Sequence, residues 1–224
     1  MPTAARPRSR RQREDRVLLV NVAWDTYETL LSDVERQRVR LTYDRGDLEI
    51  MSPSPIHERS KEWLGMMVKI LAEEFEIDFL SGGSTTLRRK ALKKGLEPDQ
   101  CFWFANAPSI VARKQLKLPK DPPPDLVIEV DYSSSSLDRM SIYAALKVPE
   151  VWRYDLERLT VYRLEQKNYA PRTTSPTFPV FPLKRIEAML EKTFEWSELQ
   201  MIQAFRSVVR DAVSAERAKM PDEL

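Results

Sequence analysis

The stretch Pro123-Pro124-Asp125-Leu126-Val127-Ile128-Glu129-Val130-Asp131 constrains this chain more than any other. Leu126, Val127, Ile128 and Val130 form a short, partly β-branched apolar run behind prolines, the pattern of a central strand buried on both faces. Three carboxylates interrupt it. Side chains alternate along a strand, so Asp125, Val127, Glu129 and Asp131 point to one face. Like charges held close raise one another's pKa, and burial adds to the rise. A cation, a metal or a wet cleft must offset them.

The chain has 224 residues, enough for one good-sized domain or two small ones. Hydrophobic residues at 42% and charged residues at 31% are ordinary for a globular protein. The net charge of +2 carries no global nucleic-acid signature, but the charge is uneven. Arg6, Arg8, Arg10, Arg11, Arg13 and Arg16 crowd the N-terminus with few apolar partners. Residues 1–16 are therefore expected to be a disordered basic tail, either a solubilising extension or a phosphate contact. The tail lacks the apolar segment of a secretory signal, and no apolar run is long enough to span a bilayer. Cys101 has no internal disulfide partner. With His57 as the sole histidine, the usual zinc sets are excluded. A cytoplasmic location is expected on these grounds.

Local patterns supply the rest of the architecture. Residues 17–22 predict a first strand. Trp24, Tyr27, Leu30 and Leu31 recur at helical spacing over 24–35, with Thr26 or Asp25 as the cap. Residues 39–43 and 48–51 flank Asp44-Arg45-Gly46-Asp47 as a β-hairpin, with Gly46 supplying a positive φ. Ser54 caps a helix with Pro55 at its first position and Trp63, Leu64, Met67, Ile70, Leu71 and Phe75 on one face. Strands are expected over 84–89 and 97–104, the latter opening with Pro98 where no ladder donor is lost. A long basic loop covers 108–124. Ser133, Ser134, Ser135 and Ser136 lead into a helix over 137–146. Strands over 149–154 and 159–164, a Pro- and Thr-rich loop over 171–182 and helices over 186–193 and 199–213 complete the order. No repeat or internal boundary splits it. The prediction is one α/β domain over 17–213, a central mixed β-sheet with helices on both faces, and a frayed tail over 214–224.

Three constellations can carry chemistry. Asp99 begins one strand and Glu129 lies near the end of another. If those strands are neighbours the two carboxylates meet, and hard cations such as Mg²⁺ take one or two carboxylates with waters and phosphate oxygens. The plainer reading leaves Asp99 exposed after its proline and pairs Glu129 with an arginine. Arg139 falls in a first helical turn if Ser135 or Ser136 is the N-cap, where a cation opposes the helix dipole. Such an arginine reaches back to the acidic strand, holds a phosphate, or pairs on the surface with Asp138 or Glu129. Glu58 lies in the first turn of its helix, where the dipole favours an acid in any protein. His57 beside it has no Ser or Cys partner in a recognisable motif, which leaves proton transfer or a structural role. Turn and N-cap chemistry explains the serine run. Gly82-Gly83 is too short for a phosphate loop.

Taken in order, these pieces match a known pattern. Pro98-Asp99 and Glu129-Val130-Asp131, on strands after an amphipathic helix bearing Glu58, resemble the PD-(D/E)XK nuclease superfamily. The fuller set adds Leu41-Thr42-Tyr43-Asp44, Leu48-Glu49-Ile50-Met51-Ser52-Pro53, His57-Glu58, Gly95-Leu96-Glu97-Pro98-Asp99, Pro124-Asp125-Leu126-Val127-Ile128-Glu129-Val130 and Val148-Pro149-Glu150-Val151-Trp152. That set resembles the Uma-type domain family, a restriction-endonuclease-like group. The resemblance implies a restriction-endonuclease-like core and a metal-dependent DNA endonuclease site. Asp99 and Glu129 are then expected to hold Mg²⁺ or Mn²⁺, with Glu58 assisting directly or through water. Asp125, Asp131 and His57 are further candidates. The metal lowers the pKa of a bound water and stabilises charge on the scissile phosphate. The superfamily lysine two residues after the glutamate is absent, and Asp131 stands there. In the Uma-type family a lysine from the next helix replaces it, and that position matches Arg139. Arginine stays charged and cannot be a base, although it can stabilise a phosphorane-like transition state.

The resemblance further implies DNA as a partner and a homodimer, while the lack of a spanning apolar run leads to the expectation of no membrane association. Two other readings stand beside the endonuclease. One is a catalytically weak nuclease-fold module acting in DNA or protein binding. The other is a structural dimer subunit whose Asp125, Glu129 and Asp131 only form ion pairs.

Overall fold

The computed structural model describes residues 14–132 and 135–219. The expected disorder of residues 1–13, the turn at Ser133 and Ser134 and the fraying of residues 220–224 lie outside the described residues. The first strand, β1 (Asp15–Leu19), starts inside the segment read as tail. Glu14, just before it, is buried.

The helix α1 (Trp24–Asp33) has Ala23 as its N-cap with no side-chain hydrogen bond, rather than Thr26 or Asp25. Aromatic packing fixes its start instead. Tyr27 stacks on Tyr43 with ring centroids 4.8 Å apart, and Trp24 meets Tyr43 edge-on at 5.4 Å. Tyr43 belongs to β2 (Arg40–Asp44), which turns through Arg45-Gly46 into β3 (Asp47–Ser52). Both turn residues have positive φ, 51° and 113°, as a two-residue hairpin matched to strand twist requires. The long helix α2 (Pro55–Glu74) follows, with the Ser54 hydroxyl accepting the His57 backbone N–H at 3.3 Å and Pro55 in the first turn.

Next come β4 (Leu80–Ser81), β5 (Leu87–Arg89), β6 (Lys94–Leu96) and β7 (Gln100–Trp103). A short helix α3 (Ala107–Ile110) lies in the basic loop before the central strand β8 (Leu126–Val130). Then follow α4 (Arg139–Leu146), β9 (Glu150–Tyr154), β10 (Leu159–Glu165), β11 (Asn168–Arg172), α5 (Leu183–Leu190) and α6 (Glu198–Arg217). β11 begins ahead of the stretch read as loop and runs into it. Its Pro171 is tolerated because β11 is an edge strand.

The strands form two sheets. One is a five-stranded antiparallel sheet in the order β1-β3-β2-β6-β5. The other is a six-stranded mixed sheet in the order β11-β10-β9-β8-β7-β4, with β8 and β9 parallel. The expected mixed α/β architecture is present, and the antiparallel sheet is an addition to it. The 97–104 stretch, read as one strand, crosses between sheets. Leu96 pairs with Thr42 in the first sheet, whereas Gln100 pairs with Ile128 in the second. Pro98 has no N–H for either ladder, so the break falls there.

Alternation along β8 sorts its two faces. Leu126, Ile128 and Val130 join a core with Leu64 and Leu71 of α2 and Phe205 of α6. Val127 joins a second core with Ile142, Tyr143 and Leu146 of α4. Glu129 shares the side of Val127 and therefore faces α4. Gly95 lets α1 lie close on the first sheet, since a Cβ there would sit 2.4 Å from the Tyr27 hydroxyl. Among the described residues no helix is long and apolar enough to cross a membrane.

Candidate active site

Glu129 is 5% exposed, and its carboxylate is gripped from α4. Arg139, the first residue of that helix, donates from Nε to Oε2 at 3.0 Å and from Nη2 to Oε1 at 2.7 Å. The fork of a guanidinium matches a carboxylate in this bidentate way. Tyr143, one turn further on, donates its hydroxyl to Oε1 as well. The remaining donors of Arg139 reach Thr42 Oγ1 at 2.5 Å and the Glu97 carbonyl at 2.8 Å. Burial pushes the Glu129 carboxyl up to about 7, with Arg139 opposing the rise and Asp99 adding to it.

The N-cap of α4 is Asp138, which accepts the Ser141 N–H at 3.1 Å. This corrects the expectation of Ser135 or Ser136. Those two serines turn instead to Glu49 on β3, Ser135 donating its hydroxyl at 2.8 Å and Ser136 its backbone N–H at 2.6 Å.

Asp99 stands just past the sheet crossing and is 2% exposed, not the surface residue of the plainer reading. Its N–H donates to the Ile128 carbonyl at 3.2 Å, and its Oδ2 accepts the Val130 N–H at 2.7 Å. These bonds clamp Asp99 beside the backbone that carries Glu129. Oδ1 lies 2.7 Å from His57 Nε2, and His57 Nδ1 lies 2.7 Å from Glu14 Oε1. An imidazole with a carboxylate on each nitrogen carries both protons. Burial lowers the His57 pKa, but the bonds to Asp99 and Glu14 outweigh it and push it up to about 10. Burial raises Asp99, yet the His57 cation and the Val130 N–H leave it below the usual carboxylate range. His57 is therefore a charged bridge at neutral pH, not a base.

The other sequence candidates go elsewhere. Glu58 pairs with Lys61 at 2.8 Å and Arg40 at 3.7 Å. Asp125 accepts the Phe104 N–H at 2.7 Å and the Asn106 side-chain amide at 2.9 Å, closing the bend after β7. It lies about 13 Å along the strand from Glu129. Asp131 pairs with Arg153 on β9, where Nε donates at 2.8 Å. Glu14, Thr42, Glu97 and Tyr143 were not sequence candidates. Only Tyr143 carried a signal, its i+4 spacing from Arg139.

Glu129, Asp131, Arg139 and Arg153 open on a cleft of about 850 Å³, which Glu14 and Arg16 also line. All four oxygens of Asp99 and Glu129 already accept hydrogen bonds, and a guanidinium and an imidazolium lie against them. Among the described residues no group of three or more His, Cys, Asp or Glu side chains is arranged to hold a metal ion. The residues as folded do not fit a divalent cation.

Asp99, just ahead of β7, and Glu129, on the neighbouring β8, thus lie together, faced by a helix-borne cation. A family model described as "Uma2: Putative restriction endonuclease" matches residues 24–194, and the chain belongs to this family. Members of restriction-endonuclease-like families generally use a divalent metal. A solved structure from Anabaena variabilis, described as "a putative nuclease belonging to DUF820", is similar at 15% identity with a TM-score of 0.44. The match covers 67% of this chain and 90% of that one. No curated protein matches the chain.

Proposed function

We propose that this protein binds DNA through its nuclease fold without appreciable Mg²⁺- or Mn²⁺-dependent cleavage. The two-pronged hold of Arg139 on both oxygens of Glu129 carries this reading. An arginine cannot give up its proton to act as a base. One already committed to Glu129, Thr42 and Glu97 has little donor capacity left for a phosphate. Cations away from the cleft suit a polyanion better. Lys114, Lys117 and Lys120 are exposed on the basic loop and line one groove. The test combines anisotropy with duplex DNA across a salt series and plasmid nicking in Mn²⁺. Steeply salt-dependent binding with no nicking is expected. The reading fails if no binding occurs at low salt, or if nicking occurs and is lost in Asp99→Ala and Glu129→Ala.

The second reading is a Mg²⁺-dependent DNA endonuclease in which Asp99 and Glu129 hold the metal and Glu58 assists. The juxtaposition of Asp99 and Glu129 favours it, but it requires Arg139 to release Glu129. Nicking that vanishes in those two alanine variants is its signature. A cytoplasmic homodimer completes the proposal. The exposed apolar residues Val17, Leu18 and Leu19 on the edge strand β1 support pairing, and sedimentation showing only monomer would remove it.

A further inference from the structure

We propose that Arg139 and His57 are resident cations that exclude divalent metal from the Asp99–Glu129 pair, an inference that rests on the weak-cleavage reading above. Each carboxylate has its own occupant. Arg139 meets Glu129 on both oxygens at 3.0 and 2.7 Å, and Tyr143 takes a further lone pair of Oε1. His57 meets Asp99 Oδ1 at 2.7 Å, and the Val130 N–H meets Oδ2 at 2.7 Å. A carboxylate offers about four lone-pair sites, so Glu129 keeps at most one.

The charges agree with the contacts. A bare pair of carboxylates matches a divalent ion in charge. Here the guanidinium balances Glu129, and the imidazolium is shared between Asp99 and Glu14. Arg16 pairs with Glu14 at 2.9 Å and with Glu49 at 2.7 Å, so its charge is shared with a second buried carboxylate. A metal entering the pair meets two fixed cations in place of water. Both cations are also anchored from behind. Thr42 and the Glu97 carbonyl hold the far side of Arg139, and Glu14 holds the far nitrogen of His57. Neither can swing aside without leaving buried acceptors empty.

The experiment titrates MnCl₂ at about pH 8 into the full-length protein and three variants. Free Mn²⁺ is read by electron paramagnetic resonance, and Tm is measured with and without metal. The wild-type protein is expected to show no saturable binding up to about 1 mM. Arg139→Ala is expected to bind one Mn²⁺ at least about tenfold tighter and to gain Tm from it. Arg139→Lys keeps the charge but loses the two-pronged grip, and it is expected to fall between them. The double variant Glu129→Gln with Arg139→Ala is expected to lose the site again. If Arg139→Ala does not fold, Arg139→Lys against wild type decides. The proposal is overturned if the wild type binds Mn²⁺ as tightly as the Arg139 variants, or if they bind no tighter than it does. DNA anisotropy of the wild type in metal-free buffer reports the function reading separately, so either can fail alone.

Discussion

Glu129 and Glu150 sit on neighbouring parallel strands, 5% and 2% exposed, in register positions three steps apart. Their partners have little in common. Glu150 is caged by neutral donors: Trp152 Nε1 at 2.6 Å, the Ser175 hydroxyl at 2.6 Å, and the Thr177 hydroxyl and N–H at 2.6 and 3.0 Å. Burial raises its pKa and those donors oppose the rise. It ties the 175–177 segment to the sheet, away from the cleft. Glu129 is answered by an arginine and a phenol, and it opens on the cleft. A buried acid in a neutral cage is a structural clamp. A buried acid paired with a cation at a cleft keeps a charge balance that ligands can alter.

Removing the cation should break this contrast most severely. Arg139→Ala leaves Glu129 buried without its partner and is expected to cost about 3–5 kcal/mol in urea unfolding near pH 8. The cost should shrink as pH falls, because Glu129, already raised by burial and no longer held down by Arg139, takes up a proton instead. A loss no larger than that from cutting a surface pair would mean that Glu129 is not held by Arg139.

The His57 bridge sharpens the comparison through pH. Its folded pKa is raised from 6.5 to about 10, so its contribution is complete below 6.5 and fades as pH rises toward 10. The folded state keeps a proton over that window that the unfolded state has released. Stability should fall by roughly 3 kcal/mol between pH 6.5 and 10, at ~1.4 kcal/mol per pH unit of separation discounted for the coupled carboxylates. His57→Gln should flatten that slope. An equally steep slope in the variant would place the proton elsewhere.

The neutral cage should respond differently. Glu150→Ala strands four donors and is expected to cost about 2 kcal/mol with no effect on Mn²⁺ binding. The smallest change expected is for Asp131→Asn. Asp131 and Arg153 are both partly exposed, and the loss should be about 0.5 kcal/mol or less. A larger effect would make Asp131 part of the charge cluster around Glu129.

Much of this contrast was legible in the residues. The run from Leu126 to Val130 announced a central strand, and its alternation placed Glu129 on the face that α4 covers. Arg139 at the start of a helix, against the dipole, pointed back to an acid. The plainer reading of Glu129 as an arginine's partner describes its contacts, while Asp99 proved buried beside it. The sheet crossing at Pro98 was not legible, because three-residue strands such as β6 are set by pairing with strands distant in sequence and not by local pattern. Glu14 was hidden for a related reason. A carboxylate among arginines reads as solvent-facing until β1 pairs with β3 and carries it onto His57. Asp125 shares the expected face of Glu129, but it lies at the far end of the strand, where backbone donors of a bend claim it.

The claim that an internal cation already occupies Glu129 is tested most directly by a crystal of the wild-type protein soaked in Mn²⁺ and measured for anomalous scattering. The account predicts no anomalous peak beside Asp99 and Glu129, with Arg139 still on both Glu129 oxygens. A peak bridging the two carboxylates, with Arg139 turned away, would contradict it.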